Sequence, residues 1–380
     1  MDLAPDKKLG FGLMRLPLMA QGSASDIDIE QTEKMVDLFL SKGFTYFDTA
    51  FFYCGGASES AARKALVQRH DRKSFTLADK LHASLFNTAD GVDRVFEQQL
   101  EKTGAGYFDH YLLHGVESDM LKKHEKFNTF EWLLRKKEEG LVKYAGFSYH
   151  DNAELLDEIL TRYPEMEFVQ IQLNYLDWES QWIQSRACYE TIVRHGKRAV
   201  IMEPLKGGTL ANIPEEAAGL FRNCDPAMSV PSWGIRFAAS LLGVMCVLSG
   251  MSSLSQMQDN TGYMEDFVPL NEAEKEVCFK VADIINAQTA VPCTACHYCT
   301  DGCPMHIAIP EFFSLYNEDM RDDLEKKGWT ISNTTYRMLK ERGGGPADCI
   351  ACGQCQEACP QHLTVIDYLK EVAEHFEGAS

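Results

Sequence analysis

Short runs of β-branched and aromatic residues alternate with longer stretches of helical periodicity from the start of the chain to about residue 250. The runs Leu9–Met14, Phe44–Asp48, Phe75–Lys80, Phe108–His114, Val142–Ser148, Phe168–Asn174, Ala199–Glu203 and Val244–Ser249 predict eight strands. Amphipathic stretches separate them, among them Asp28–Ser41, Gly91–Thr103, Thr129–Gly140, Ala153–Arg162 and Gln184–His195. Eight alternations of strand and helix in about 250 residues match the count and size of a (β/α)8 TIM barrel. A doubly wound α/β sheet is the second choice, because no G-x-G-x-x-G follows an early strand.

Beyond the eighth run the pattern changes. Asn271–Gln288 reads as one charged-then-apolar helix, and the rest of the chain reads as a small, mostly α-helical unit with helical patterns at Pro310–Lys327, Thr334–Arg342 and Leu363–Phe376. The expected organisation is a barrel over 1–268, a connector helix over 269–290 and a helical domain over 291–380. Gly343, Gly344 and Gly345 are expected to free the backbone to turn before the last cysteines.

Eight of the 13 cysteines form two copies of one spacing, C-x2-C-x2-C-x3-C-P. The first is Cys293, Cys296, Cys299 and Cys303, and the second is Cys349, Cys352, Cys355 and Cys359. The spacing resembles the bacterial ferredoxin signature, which implies two [4Fe-4S] clusters, with the fourth thiolate of each run reaching the other cluster. Zinc is disfavoured because a tetrahedral site normally pairs two separated clips. The length and helicity of the gap between the runs resemble alpha-helical ferredoxin domains rather than the small βαβ ferredoxins. A cluster domain requires reduced thiols, which points to a reducing, cytoplasmic compartment.

Charge narrows the partners. A net charge of -19 argues against nucleic acid, which normally meets a basic face. No apolar stretch approaches membrane-spanning length, and Met1–Gly10 carries charges where a signal peptide has an apolar core.

In TIM barrels chemistry gathers at the C-terminal ends of the strands. There the sequence offers Asp48 and Tyr53 after the second run, Lys80 at the end of the third and His114 at the end of the fourth. A tyrosine is a weak acid at neutral pH, and an ammonium beside it is expected to lower its pKa. Lys80 would be that ammonium, Asp48 would hold it in place, and His114 would orient a carbonyl oxygen. Taken singly, each residue has a plainer reading as a cap or as packing.

The strings FTYFDTAFFY, LADKL, DHYLLHG, GFSYH, VQIQLNY, EPLKGG and SGMSSLSQMQDN resemble the aldo-keto reductase family, and with the cysteines the chain resembles its members with a fused ferredoxin domain. The resemblance implies a barrel that binds a nicotinamide dinucleotide, NAD(P)(H), and passes hydride to an aldehyde or ketone while Tyr53 supplies the proton. It assigns the catalytic tetrad to Asp48, Tyr53, Lys80 and His114. Cofactor contacts fall on Ser148, Gln170, Met202, Gly250, Ser252, Ser253, Gln256 and Asn260. Departures from the family are Tyr149 after Ser148, Met202 in place of a stacking aromatic, and Gly250 and Gln256 where members specific for the 2′-phosphate carry cations. NADP preference is therefore not implied. Phe51, Phe52 and Trp178 are candidates for the substrate pocket, as are His82, His110 and His150 for its mouth. Cys54 is expected to pack rather than react.

The resulting expectation is an oxidoreductase interconverting a small-molecule carbonyl and alcohol, with an electron-transfer appendage and a redox partner protein. Nicotinamides move hydride and clusters move single electrons, so coupling them calls for a flavin or an electron-accepting substrate. The alternative is a ferredoxin-like electron carrier or interaction module whose barrel is not a nicotinamide-dependent reductase.

Overall fold

The computed structural model of the chain describes residues 2–19, 23–180, 183–287, 289–321 and 331–378. Eight strands close into one barrel: β1 (Leu9–Gly12), β2 (Tyr46–Asp48), β3 (Thr76–His82), β4 (Phe108–Val116), β5 (Val142–Tyr149), β6 (Phe168–Gln172), β7 (Arg198–Met202) and β8 (Val244–Ser249). Every neighbouring pair is parallel, and β8 returns to β1 through Gly10↔Leu248. All eight coincide with the apolar runs. β3 and β4 extend two residues past Lys80 and His114, so these side chains leave from within strands, where the β3–β4 pairing holds the backbone.

The barrel is filled rather than hollow, as its size requires. Tyr46, Ala78, Leu112, Phe168, Val200 and Cys246 belong to one buried cluster. Glycine at position 10 makes this possible, since a Cβ there would lie 2.6 Å from Cys246 Sγ and 3.2 Å from the Tyr46 ring. His110, expected near the substrate mouth, sits in this filling instead. Its ring packs on Tyr46, Tyr144 and Phe168, and its Nε2 is 2.9 Å from the carbonyl of Leu3. The strand period explains the shift: His110 shares an inward face with His114 but lies four residues deeper.

The surrounding helices begin where their caps dictate. Asp28 accepts from the Gln31 N–H, Thr88 from Gly91 and Asn152 from Leu155. Gly104 ends the helix Ala89–Thr103 in the left-handed conformation at φ 64°. The helix Val230–Ala239 was not legible in the sequence because Ser232 through Ala239 are all buried, which removes the polar stripe that marks an amphipathic helix.

The chain divides into two compact units, Met1–Leu205 with Phe221–Cys278, and Lys206–Leu220 with Phe279–Ser380. The helix Glu272–Ala287, expected over Asn271–Gln288, crosses that division; Gln288 lies outside the described residues. In the second unit the helices Ile309–Arg321, Ile331–Arg342 and Val365–Glu377 bury Phe312, Phe313, Tyr336, Leu369 and Val372. The expected continuation of the first of these to Lys327 falls outside the described residues. Gly343 and Gly344 serve close approach rather than free turning: a Cβ on either would stand 2.3 Å from the carbonyl oxygen of His306 or Met305.

Candidate active site and iron–sulfur sites

Asp48, Tyr53, Lys80 and His114 meet at one place. Lys80 is fully buried, and its Nζ lies 2.5 Å from Asp48 Oδ1 and 2.8 Å from the carbonyl of Thr49. The same nitrogen stands 4.8 Å from the centre of the Tyr53 ring. Tyr53 meets His114 edge to face, with ring centres 6.1 Å apart, and His114 meets His82 in the same way at 5.4 Å. Tyr53 opens a short turn in which Cys54 adopts φ 52° and Gly55 φ 59°.

The electrostatics differ from expectation at one point. Tyr53 is held well above the usual tyrosine pKa by burial and by the charges of Asp48, Asp79 and Glu203. Lys80 was expected to lower it; although its Nζ stands over the ring, burial and the acidic surround outweigh it. His114 is held well below the usual histidine value by burial and by Lys80, and is a neutral imidazole whose Nδ1 has no hydrogen-bond partner. Burial also pushes Asp48 up, with Lys80 opposing.

A buried acid pair lies directly behind Lys80. Asp79 Oδ1 accepts the Lys80 N–H at 2.8 Å, and Gln99 Nε2 lies 3.0 Å from both Asp79 Oδ1 and Glu59 Oε1. Burial and the neighbouring Glu59 raise Asp79 well above the carboxylate range, while Glu59 itself pairs with Lys102 at 2.7 Å. The pair is invisible in sequence because Glu59 and Asp79 belong to different elements.

Ser148 and Gln170 are register neighbours on β5 and β6. Ser148 Oγ accepts the Gly115 N–H at 2.7 Å; Gln170 Nε2 lies 3.5 Å from Met202 Sδ, and its buried Oε1 has no hydrogen-bond partner among the described residues. The segment after β8 is tied by its own polar groups. Ser252 donates to the carbonyl of Arg15, Gln256 Oε1 accepts the Ser252 N–H, Ser253 caps the helix Leu254–Glu265, and Asn260 donates to Ser249 Oγ. Arg15 itself escaped the sequence reading. Its side chain lies over Gly250, where a Cβ would meet it at 3.2 Å. An exposed arginine just after the first strand was the available signal.

Cys54 resolves as packing. Cys54 Sγ lies 3.4 Å from the carbonyls of Leu13 and Met14, and burial raises its pKa. Trp178 packs edge-on against Phe237, and Lys102 covers Phe51. Phe52 is half exposed and meets His82 edge to face.

In the second unit the cysteines line two separate hollows. One is bordered by Cys293, Cys296, Cys299 and Cys359, the other by Cys303, Cys349, Cys352 and Cys355. Each quartet therefore combines three cysteines of one run with the fourth of the other. Among the described residues no three His, Cys, Asp or Glu side chains converge as a single metal ion would need. The thiols stand around a space instead of meeting about 2.3 Å from one point, the zinc–sulfur distance.

The chain thus carries a parallel eight-stranded barrel with a lysine–aspartate pair beneath a tyrosine, followed by a helical domain with two cysteine quartets. The sequence pattern of the Aldo/keto reductase family spans residues 8–281, and that of a 4Fe-4S dicluster domain spans residues 292–364. The chain belongs to the aldo/keto reductase family. A probable aldo-keto reductase of Glycine max is 31% identical over 150 residues, covering 37% of this chain and 41% of that protein. An aldo-keto reductase of Bacillus halodurans in its holo form has a TM-score of 0.59 at 23% identity, covering 72% of this chain and 91% of the other. An aldo/keto reductase of Klebsiella pneumoniae in complex with NADP and acetate gives 0.58 at 17%, covering 75% and 96%. Likeness at this level describes the fold.

Proposed function

We propose that the barrel reduces the carbonyl group of a small aldehyde or ketone with a nicotinamide dinucleotide, and that Tyr53 delivers the proton. The observation that carries this reading is the buried contact of Lys80 with Asp48 beneath the Tyr53 ring. The dinucleotide, when bound, supplies hydride to the carbonyl carbon. The oxygen left behind is far more basic than a phenolate, so a tyrosine with a raised pKa is fully protonated beforehand and still gives its proton to it. Lys80 lies against the ring and offsets the negative charge Tyr53 acquires. His114, neutral, presents a ring nitrogen to the same space without competing for the proton. Ser148 and Gln170 suit the carboxamide of the dinucleotide, and the unpartnered Oε1 of Gln170 is an acceptor waiting for an N–H donor. Arg15, over Gly250, is a cation that a 2′-phosphate on this segment would meet.

The second unit is read as an electron-transfer module with one [4Fe-4S] cluster in each cysteine quartet. A redox partner protein meets it, and a flavin or an electron-accepting substrate joins single-electron flow to chemistry in the barrel. No described helix is long and apolar enough to cross a membrane.

Tyr53→Phe tests the barrel reading. Carbonyl turnover falls about a hundredfold or more while dinucleotide affinity stays within about twofold. Undiminished turnover removes Tyr53 from the reaction, whereas a wild type that binds no nicotinamide dinucleotide favours the electron-carrier reading. Anaerobically purified protein contains about eight irons and eight labile sulfides per chain; four irons, or zinc in their place, ends the two-cluster assignment.

A further inference from the structure

The two cysteine runs are built alike. Ala295, His297 and His306 in the first and Ala351, Gly353 and His362 in the second take left-handed backbone at matching offsets, with φ of 50°, 64°, 53° and 55°, 84°, 51°. Each run passes through a four-residue helix, Tyr298–Asp301 or Gln354–Glu357. The N–H of His306 donates to the carbonyl of Cys303, and that of His362 to Cys359, both at 3.0 Å. The runs differ beside the hollows. The residue two places after the fourth cysteine is Met305 at the hollow of Cys303, Cys349, Cys352 and Cys355, and Gln361 at the hollow of Cys293, Cys296, Cys299 and Cys359. Gln361 Oε1 accepts a hydrogen bond of 3.0 Å from Lys206 Nζ. Lys206 is 4% exposed and Gln361 6%, so this cation is held away from water one side chain from the hollow. Lys206 adopts φ 45° and leads into Gly207 and Gly208 at 67° and 108°, a left-handed turn in a segment belonging to the same compact unit as the cysteine loops.

We infer that Lys206 makes the cluster held by Cys293, Cys296, Cys299 and Cys359 the higher-potential member of the pair. The inference rests on the crossed ligation proposed above. Reduction adds one electron and one unit of negative charge to a cluster, with no proton or co-reactant. A buried ammonium nearby favours the reduced form, and more strongly than a surface cation because little water screens it. The second hollow has the uncharged thioether of Met305 at the equivalent position. An electron entering the unit therefore settles on the first cluster.

The test is a redox titration of the full chain followed by electron paramagnetic resonance, comparing wild type, Lys206→Gln and Lys206→Arg. Both variants keep a donor toward Gln361 Oε1 and differ in charge. In Lys206→Gln the oxidised-to-reduced ratio of one cluster at fixed potential rises about tenfold, a shift of about 59 mV for one electron. The other cluster is unmoved, and Lys206→Arg stays near wild type. Unchanged midpoints in Lys206→Gln overturn the inference, as does an equal shift in Lys206→Arg. Loss of cluster iron in Lys206→Gln alone also overturns it, because the lysine then holds the cluster rather than tunes it. Iron and sulfide counts on the same samples separate these outcomes from failure of the two-cluster reading, which would appear as low iron in wild type.

Discussion

Cys303 and Cys359, the fourth cysteines of the two runs, have exchanged places: each lines the hollow formed by the first three cysteines of the other run. The exchange ties two loops 56 residues apart to both metal sites. Damage to one fourth cysteine is therefore felt in the run that does not contain it. Cys303→Ser is expected to remove or convert the cluster bound by Cys349, Cys352 and Cys355 while the cluster of its own run persists. Resonance spectra and iron counts read this directly, and selective loss of the cluster bound by Cys293, Cys296 and Cys299 would refute the crossing.

Asp79 predicts a pH-dependent stability. Its folded pKa is raised well above the unfolded value of about 3.9 by burial and by Glu59. The folded state thus holds a proton that the unfolded state releases, and stability from this group is present in acid and is lost as pH rises toward the folded pKa. Asp79→Asn keeps an oxygen for the Lys80 and Gln99 donors but has no proton to lose. The variant is expected to gain on the order of 1–3 kcal/mol over wild type at pH 8 and to lose that advantage near pH 4. Parallel thermal or urea unfolding curves for the two proteins at both pH values would contradict this.

Arg15 predicts cofactor preference. A guanidinium beside Gly250 pairs with a phosphate dianion and gains little from a hydroxyl. Arg15→Ala is expected to weaken binding of the 2′-phosphorylated dinucleotide about tenfold or more and of the unphosphorylated form by less than about twofold. Fluorescence titration measures both, and equal losses would mean that Arg15 only packs.

The strands were legible because each is a short apolar run bounded by turns, and the caps Asp28, Thr88 and Asn152 mark helix starts by local chemistry. Val230–Ala239 was not, since burial on every side erases periodicity. Strand-end rules brought Asp48, Lys80 and His114 into view, while His110, expected near the mouth, lies four residues deeper than His114.

Covalent spacing and local periodicity, which act over a few residues, were enough to determine the barrel, the helical appendage and the cysteine runs. The sign of the shift at Tyr53 was decided only by tertiary structure. It depends on the burial of the ring and on Asp48, Asp79 and Glu203 around it. The same holds for Arg15 over Gly250 and for Lys206 beneath Gln361, pairs separated by 235 and 155 residues. Charge acts through distance and burial, and these are set by how the elements pack, which no local pattern along the chain encodes.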